Sequence, residues 1–136
     1  FLNFIGKKQV ENSFTLIGDL AKQVKEVLKT VEQGETLFEI TEYELTKFIK
    51  RYVGRRFTPK DFRTLRANMY AWEKFMEICE RELPSTKTEF NKEVKEIATY
   101  VSEHLNNTPG VCKASYIDSM LWDEVAEQRP VTKRKK

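Results

Sequence analysis

One histidine, two cysteines and five glycines occur in the 136 residues of this chain, and each scarcity removes a class of chemistry. His104 has no cysteine or second histidine at ligand spacing, so neither a zinc cluster nor a serine–histidine–aspartate relay can be argued. It reads as a residue near a helix C-terminus, where a cation is favoured. Cys79 and Cys112 lie 33 positions apart, which is neither zinc spacing nor a disulfide framework. They read as reduced thiols of an intracellular protein. No glycine-rich phosphate loop is present, and the carboxylates are scattered without an obvious acid/base pair. No apolar run approaches the ~20 residues of a membrane span, and no signal peptide opens the chain. The first residue is Phe1, within "FLNFIG"; this start reads as a boundary inside a larger protein.

What is present argues for a folded domain. The composition is 40 % apolar and 12 % aromatic, well above that of disordered chains, and the length suffices for one domain with its own core. The net charge of +3 is unevenly spread. The last eight residues, "RPVTKRKK", hold five positive charges, which leaves the first 128 at −2. Within those, Lys47 to Arg66 holds eight basic residues against one acid, Asp61, whereas residues 67–104 hold eight acids against five bases. A basic cluster on a mildly acidic body suits a phosphate-binding face. A solvated helix face with a disordered tail accounts for it equally well.

The pattern predicts two strands and then helices. Phe1 to Ile5 and Ser13 to Ile17 flank a polar connection and suggest a hairpin whose register is loosely set. Leu20, Val24, Val27, Leu28 and Val31 fall at helical spacing, with Gly34 as the stop. Thr41 and Glu44 form a capping-box pair ahead of a stripe of Leu45, Phe48, Ile49 and Tyr52, which Gly54 ends. Thr58-Pro59 is a strong helix start. Phe62, Leu65, Met69, Trp72, Met76 and Cys79 follow at helical steps, widened by Ala71, Phe75 and Ile78, so this long helix should lie centrally and end before Pro84. Another helix starts near Lys87, with Phe90, Val94, Ile97, Ala98, Val101 and Leu105 inward. The Asn-Asn-Thr-Pro turn breaks it, and a shorter helix should hold Tyr116, Met120 and Leu121. The fold class is therefore mostly α with a small N-terminal β-hairpin.

Phosphoryl chemistry without a metal stays open to such a chain. It needs a nucleophile, donors for the non-bridging oxygens and an acid for the leaving group. Tyrosine, arginine, asparagine and lysine can supply all of these. One tyrosine is unusually placed: in "NNTPGVCKASYI", Tyr116 follows a turn and the small residues Cys112, Ala114 and Ser115.

Three segments carry a resemblance. "FIGKKQVENSF" (Phe4–Phe14), "FTPKDFRT" (Phe57–Thr64) and "NTPGVCKASYI" (Asn107–Ile117) lie in order, about 50 residues apart. Together they resemble consecutive motifs of the type IB DNA topoisomerases, in the poxvirus-like and bacterial branch, over Phe4 to about Trp122. The resemblance implies a partial catalytic domain at 1–128, with the hairpin at 1–18 and a helical core at 19–128, followed by a disordered basic tail at 129–136. It implies strand nicking and resealing through a 3′-phosphotyrosyl link, with no cofactor, metal or small-molecule substrate. Duplex DNA is the implied partner of an intracellular, monomeric enzyme that uses no membrane.

The family's roles map residue by residue. Tyr116 matches the nucleophile, and Arg63 matches an arginine that donates to non-bridging phosphate oxygens, a task suited to a planar guanidinium. Lys7 matches the hairpin lysine that protonates the departing 5′-oxygen. Asn107 stands where poxviral enzymes have histidine; its amide can donate but holds no charge. Lys8, Arg55, Arg56, Lys60 and Lys113 are the implied DNA contacts. A further family arginine lies upstream of the hairpin and outside this sequence, so the site of the isolated chain is expected to be incomplete.

Plainer readings stand beside these. Tyr116 could be a core tyrosine, Arg63 a surface residue, and Asn107 a turn-shaping cap. A one-residue register slip would exchange Lys7 with Lys8. Trp72 and Phe75 read as core rather than base-stacking platforms. A tyrosine recombinase would use related chemistry, but its arginine motif begins His-x-x-Arg, whereas this chain has Lys60-Asp61-Phe62-Arg63. A non-catalytic DNA-binding or helical interaction module is the competing class.

Overall fold

A computed structural model describes residues 1–6 and 9–132 of the chain. It divides into two compact units, the first Phe1–Arg55 and the second from Arg56 onward. The mostly helical class with a small hairpin holds.

In the first unit, β1 (Leu2–Ile5) pairs antiparallel with β2 (Glu11–Phe14). The second strand thus starts and ends earlier than Ser13 to Ile17. The register sets Leu2 opposite Phe14 and Phe4 opposite Asn12. Phe4 and Phe14 then meet diagonally on one face, ring centroids 5.9 Å apart, a contact that favours this pairing over a one-residue slip. Helix α1 (Gly18–Leu28) ends six residues before Gly34. Its last turn tightens: Lys29 N–H bonds Glu26 O, Thr30 N–H bonds Val27 O, and the Thr30 hydroxyl donates to the same Val27 carbonyl at 2.7 Å. Val31 is in phase but lies beyond this closure. Helix α2 (Glu42–Tyr52) starts on the expected box: Glu44 N–H donates to Thr41 Oγ1, and the Glu44 carboxylate accepts Thr41 N–H. Of its stripe only Ile49 is buried; Leu45, Phe48 and Tyr52 are exposed.

The second unit holds the core. It contains α3 (Pro59–Cys79), α4 (Lys87–Leu105), α5 (Pro109–Ser115) and α6 (Ser119–Gln128). Helix α3 packs against α4 and α6, and α4 against α5. Ala67, Ala71, Phe75 and Ile78 from α3 join Ile97, Val101 and Leu105 from α4, Cys112, Ile117, and Leu121 and Val125 from α6 in one cluster. At about 1.5–3 kcal/mol per large side chain removed from water, the bulkier members of this cluster supply the main stabilisation of the unit.

The buried stripe of α3 differs from the expected one. Phe62, Leu65, Met69, Trp72 and Met76 are exposed, and Trp72 touches Phe75 only edge-on at 5.7 Å. The core is built instead on the alanines and on Phe75 and Ile78, the residues read as the widening of the stripe. The inward face of α4 is as expected, with Phe90 and Val94 half-buried at its start. The last expected helix is in fact two. Tyr116 caps the C-terminus of α5, while Met120 and Leu121 lie on α6, whose N-cap Asp118 accepts Met120 N–H at 2.9 Å.

Arg129, counted in the sequence as the start of a disordered tail, is packed inside the unit at 1 % exposure. Its guanidinium bonds both oxygens of Glu93 and the backbone carbonyls of Arg81 and Glu82. Thr132 N–H then bonds Pro84 O at 2.9 Å. Residues 133–136 of that expected tail lie outside the described residues.

Candidate active site

The α3 start positions two cations. The Asp61 carboxylate accepts both the backbone N–H and the hydroxyl of Thr58, at 2.6 and 2.8 Å. These bonds hold its pKa below the usual carboxylate range. Pro59 occupies the first turn. With the helix start fixed, Lys60 and Arg63 fall three positions apart, hence on one side. Arg63 Nη2 donates to the Leu105 carbonyl at the end of α4, 2.9 Å away. This ties an otherwise mobile guanidinium to a helix C-terminus, where a cation is favoured.

The turn after α4 carries Asn107. Asn106 ends the helix in the left-handed region, φ 50°, which asparagine tolerates better than most residues. Asn107 N–H returns to Ser102 O at 3.0 Å, and its side-chain oxygen accepts Thr108 N–H at 3.0 Å. Asn107 therefore does shape this turn. The bond to Thr108 engages its oxygen, so the amide N–H2 is the end that can donate to an anion. Thr108 caps α5 through Val111 N–H. His104 sits in the last turn of α4, as expected, with Nδ1 2.8 Å from Tyr100 O.

Tyr116 is held by its backbone on both sides. Tyr116 N–H and Ile117 N–H both donate to Cys112 O, at 3.1 and 2.9 Å. Cys112 and Ile117 are buried anchors, and burial pushes the Cys112 thiol up, with the Arg63 charge opposing. The tyrosine ring is half-buried, with Lys60 Nζ 5.7 Å and Arg63 Cζ 5.6 Å from its centroid. Tyr116 thus packs against the core cluster while two cations face its ring.

Of the residues singled out in the sequence, Arg63, Lys60 and Tyr116 come together. Asn107 is two residues from Leu105, whose carbonyl holds Arg63. Lys113 stands apart, with Nζ 5.4 Å over the Trp122 ring. Arg55 closes the first unit and Arg56 opens the second, both exposed. Lys7 and Lys8 lie outside the described residues. One residue escaped the sequence reading: Asn68, on α3, bonds the backbone of Tyr116 and Asp118. An asparagine inside a long helix is a weak helix former that competes for backbone groups. That misfit was the available signal.

No described helix is long and apolar enough to cross a membrane. A tyrosine on pinned backbone, its ring faced by an arginine and a lysine, defines a class of site whose residue types suit attack on an anionic phosphoester. The chain matches the family model of the eukaryotic DNA topoisomerase I catalytic core over residues 1–134, and it belongs to that family. It is also similar to the DNA topoisomerase 1B of Acanthamoeba polyphaga mimivirus, at 26 % identity over 129 residues, covering 85 % of this chain. The alignment spans 38 % of that viral protein's length. The resemblance carried by the three sequence motifs is borne out at the level of the family.

Proposed function

We propose that the full-length protein containing this chain is a type IB DNA topoisomerase, and that Tyr116 is its nucleophile. The observation that carries the reading is the Tyr116 ring flanked by Arg63 and Lys60 in a chain of this family. The Tyr116 oxygen attacks a backbone phosphorus of duplex DNA and loses its proton to solvent. The bond from phosphorus to the 5′-oxygen breaks, and the 3′-phosphate stays on the tyrosine.

Arg63 donates to the non-bridging oxygens, where charge builds in the transition state; one such donor is worth on the order of 10²–10³ in rate. Asn107 adds a neutral donor through its N–H2. Lys7 protonates the departing 5′-oxygen. Lys8, Arg55, Arg56, Lys60 and Lys113 contact phosphates along the duplex. After strand rotation the 5′-hydroxyl attacks the phosphotyrosine, and the steps run in reverse. The phosphotyrosyl ester retains the free energy of the broken phosphodiester, so neither nucleotide hydrolysis nor a metal is required, and the protein acts where its DNA is.

The test is covalent trapping on duplex DNA by the full-length protein. Tyr116→Phe should abolish the protein–DNA adduct and plasmid relaxation while duplex binding stays within about twofold, because a phosphate-binding surface keeps its charges. An adduct formed by the phenylalanine variant would remove Tyr116 from its role.

A further inference from the structure

Asn68 spans the tyrosine. Its Nδ2 has two hydrogens, and both are used: one bonds Thr64 O at 2.8 Å, one turn back on α3, and the other bonds Tyr116 O at 2.9 Å. Its Oδ1 accepts Asp118 N–H at 2.8 Å. A carboxamide has this donor–acceptor pair in one plane, and here it closes on both ends of the segment from Tyr116 to Asp118. The Tyr116 carbonyl and the Asp118 N–H lie between α5 and α6, outside either helix ladder. Without Asn68 these groups would lose their partner from α3, the element that also carries Lys60 and Arg63.

We propose that Asn68 is a positioning residue for Tyr116: it ties the backbone of the tyrosine to the helix that bears the cations, and so sets where the phenol meets the phosphate. This rests on Tyr116 being the nucleophile. Among the described residues the hydrogen bonds of Asn68 all go to backbone, so it supplies geometry and not charge. Nucleophilic attack is sensitive to geometry; a displacement of about 1 Å can lower a rate about 100-fold.

Single-turnover cleavage and resealing by the full-length protein test this with Asn68→Ala and Asn68→Asp, and with Tyr116→Phe as the reference. Asn68→Ala should cleave and reseal about 10- to 100-fold more slowly, both steps by a similar factor, with duplex affinity unchanged. Asn68→Asp is the sharper probe. As a carboxylate it still accepts Asp118 N–H but faces the Thr64 and Tyr116 carbonyls with no proton to give. Once protonated it regains one donor and one acceptor. Above its pKa, its protonated share grows about tenfold for each unit by which pH falls, so its rate relative to wild type should climb as pH falls from about 7 to about 5. Tyr116 and Asp118 are common to both proteins and cancel in that ratio.

A loss of folded protein would recover in acid too, so each rate is taken per folded molecule, with the folded fraction read from tryptophan fluorescence at the same pH. If Asn68→Ala does not fold, the pH profile of Asn68→Asp alone decides. Cleavage by Asn68→Ala within twofold of wild type, or a deficit in Asn68→Asp that stays constant with pH, overturns the proposal, while a dead Tyr116→Phe leaves the nucleophile in place. An adduct from Tyr116→Phe overturns both.

Discussion

Replacing Arg129 with methionine should destabilise the helical unit more than any change to its surface charges. The Arg129 side chain is 2 % exposed and that of Glu93 12 %, and they meet at 2.6 Å. Arg129 also donates to the carbonyls of Arg81 and Glu82 in the connection between α3 and α4. Methionine fills much of the volume but leaves a nearly buried carboxylate and two carbonyls without their donor. Breaking one side of a buried pair costs about 3–5 kcal/mol. The small residual exposure of Glu93 places this case near the lower end, about 3 kcal/mol.

The assay is urea unfolding followed by the fluorescence of Trp72 and Trp122, both in this unit. With a slope of about 1–1.5 kcal/mol/M, the midpoint should fall by about 2–3 M. Adding Glu93→Met removes the orphaned charge and should restore part of the loss, because an apolar pair of similar volume often matches a buried ion pair. Recovery stays incomplete, since the two carbonyls remain unpaired at about 1–3 kcal/mol each. A loss under about 1 kcal/mol for Arg129→Met, the range of exposed ion pairs, would refute the reasoning.

Glu96 predicts an acid limb. Its hydrogen bonds to Arg81 and then Lys74 hold its pKa down at about 2, so its contribution is present above the ordinary carboxylate range and is lost as pH falls toward 2; stability should drop through that window, and Glu96→Gln should flatten the drop. A 5′-bridging sulfur makes a leaving group that needs little protonation, so Lys7→Ala should regain much of its cleavage rate on such DNA while Arg63→Ala should not. Rescue of Lys8→Ala instead would assign the acid to Lys8.

Helix starts were legible because their signals are local. Thr41 with Glu44 and Thr58 with Pro59 and Asp61 each act within three residues. Burial was less legible, because it depends on what arrives from elsewhere in the chain. Periodicity on α3 favoured the bulky set Phe62, Leu65, Met69, Trp72 and Met76, yet α4 and α6 pack on the side of Ala67 and Ala71, whose small side chains add little to a hydrophobic pattern. The same limit hid Arg129 in a basic run, since its partner Glu93 lies 36 residues away. At the candidate site, motif order singled out Arg63, Asn107 and Tyr116, of which Arg63 and Tyr116 do meet, but the bonds from Asn68 to Tyr116 and Asp118 span 48 and 50 residues and follow no short spacing. The placement of Tyr116 between two helices depends on those bonds and on the Asp118 cap.

The face of α3 that builds the core also begins the site. Lys60, Arg63, Ala67, Ala71, Phe75 and Ile78 follow one another at steps of three or four, so they share one side of the helix. That side changes from cationic to apolar between Arg63 and Ala67. Cations near a helix N-terminus oppose the macrodipole, so Lys60 and Arg63 do not favour this helix by themselves. Asp61 offsets part of the cost at the helix start, bonded to Thr58, and Arg63 is met by the Leu105 carbonyl at the opposite pole of α4. A local rule broken and then compensated in this way is expected where function overrides stability. On the role proposed for Lys60 and Arg63, the signs would reverse for an arriving phosphate, which the helix N-terminus and both cations would attract together. On that role the arrangement that opposes the free helix would be the one that binds the anion, while the apolar half of the same face is fixed in the core by Ala67, Ala71, Phe75 and Ile78.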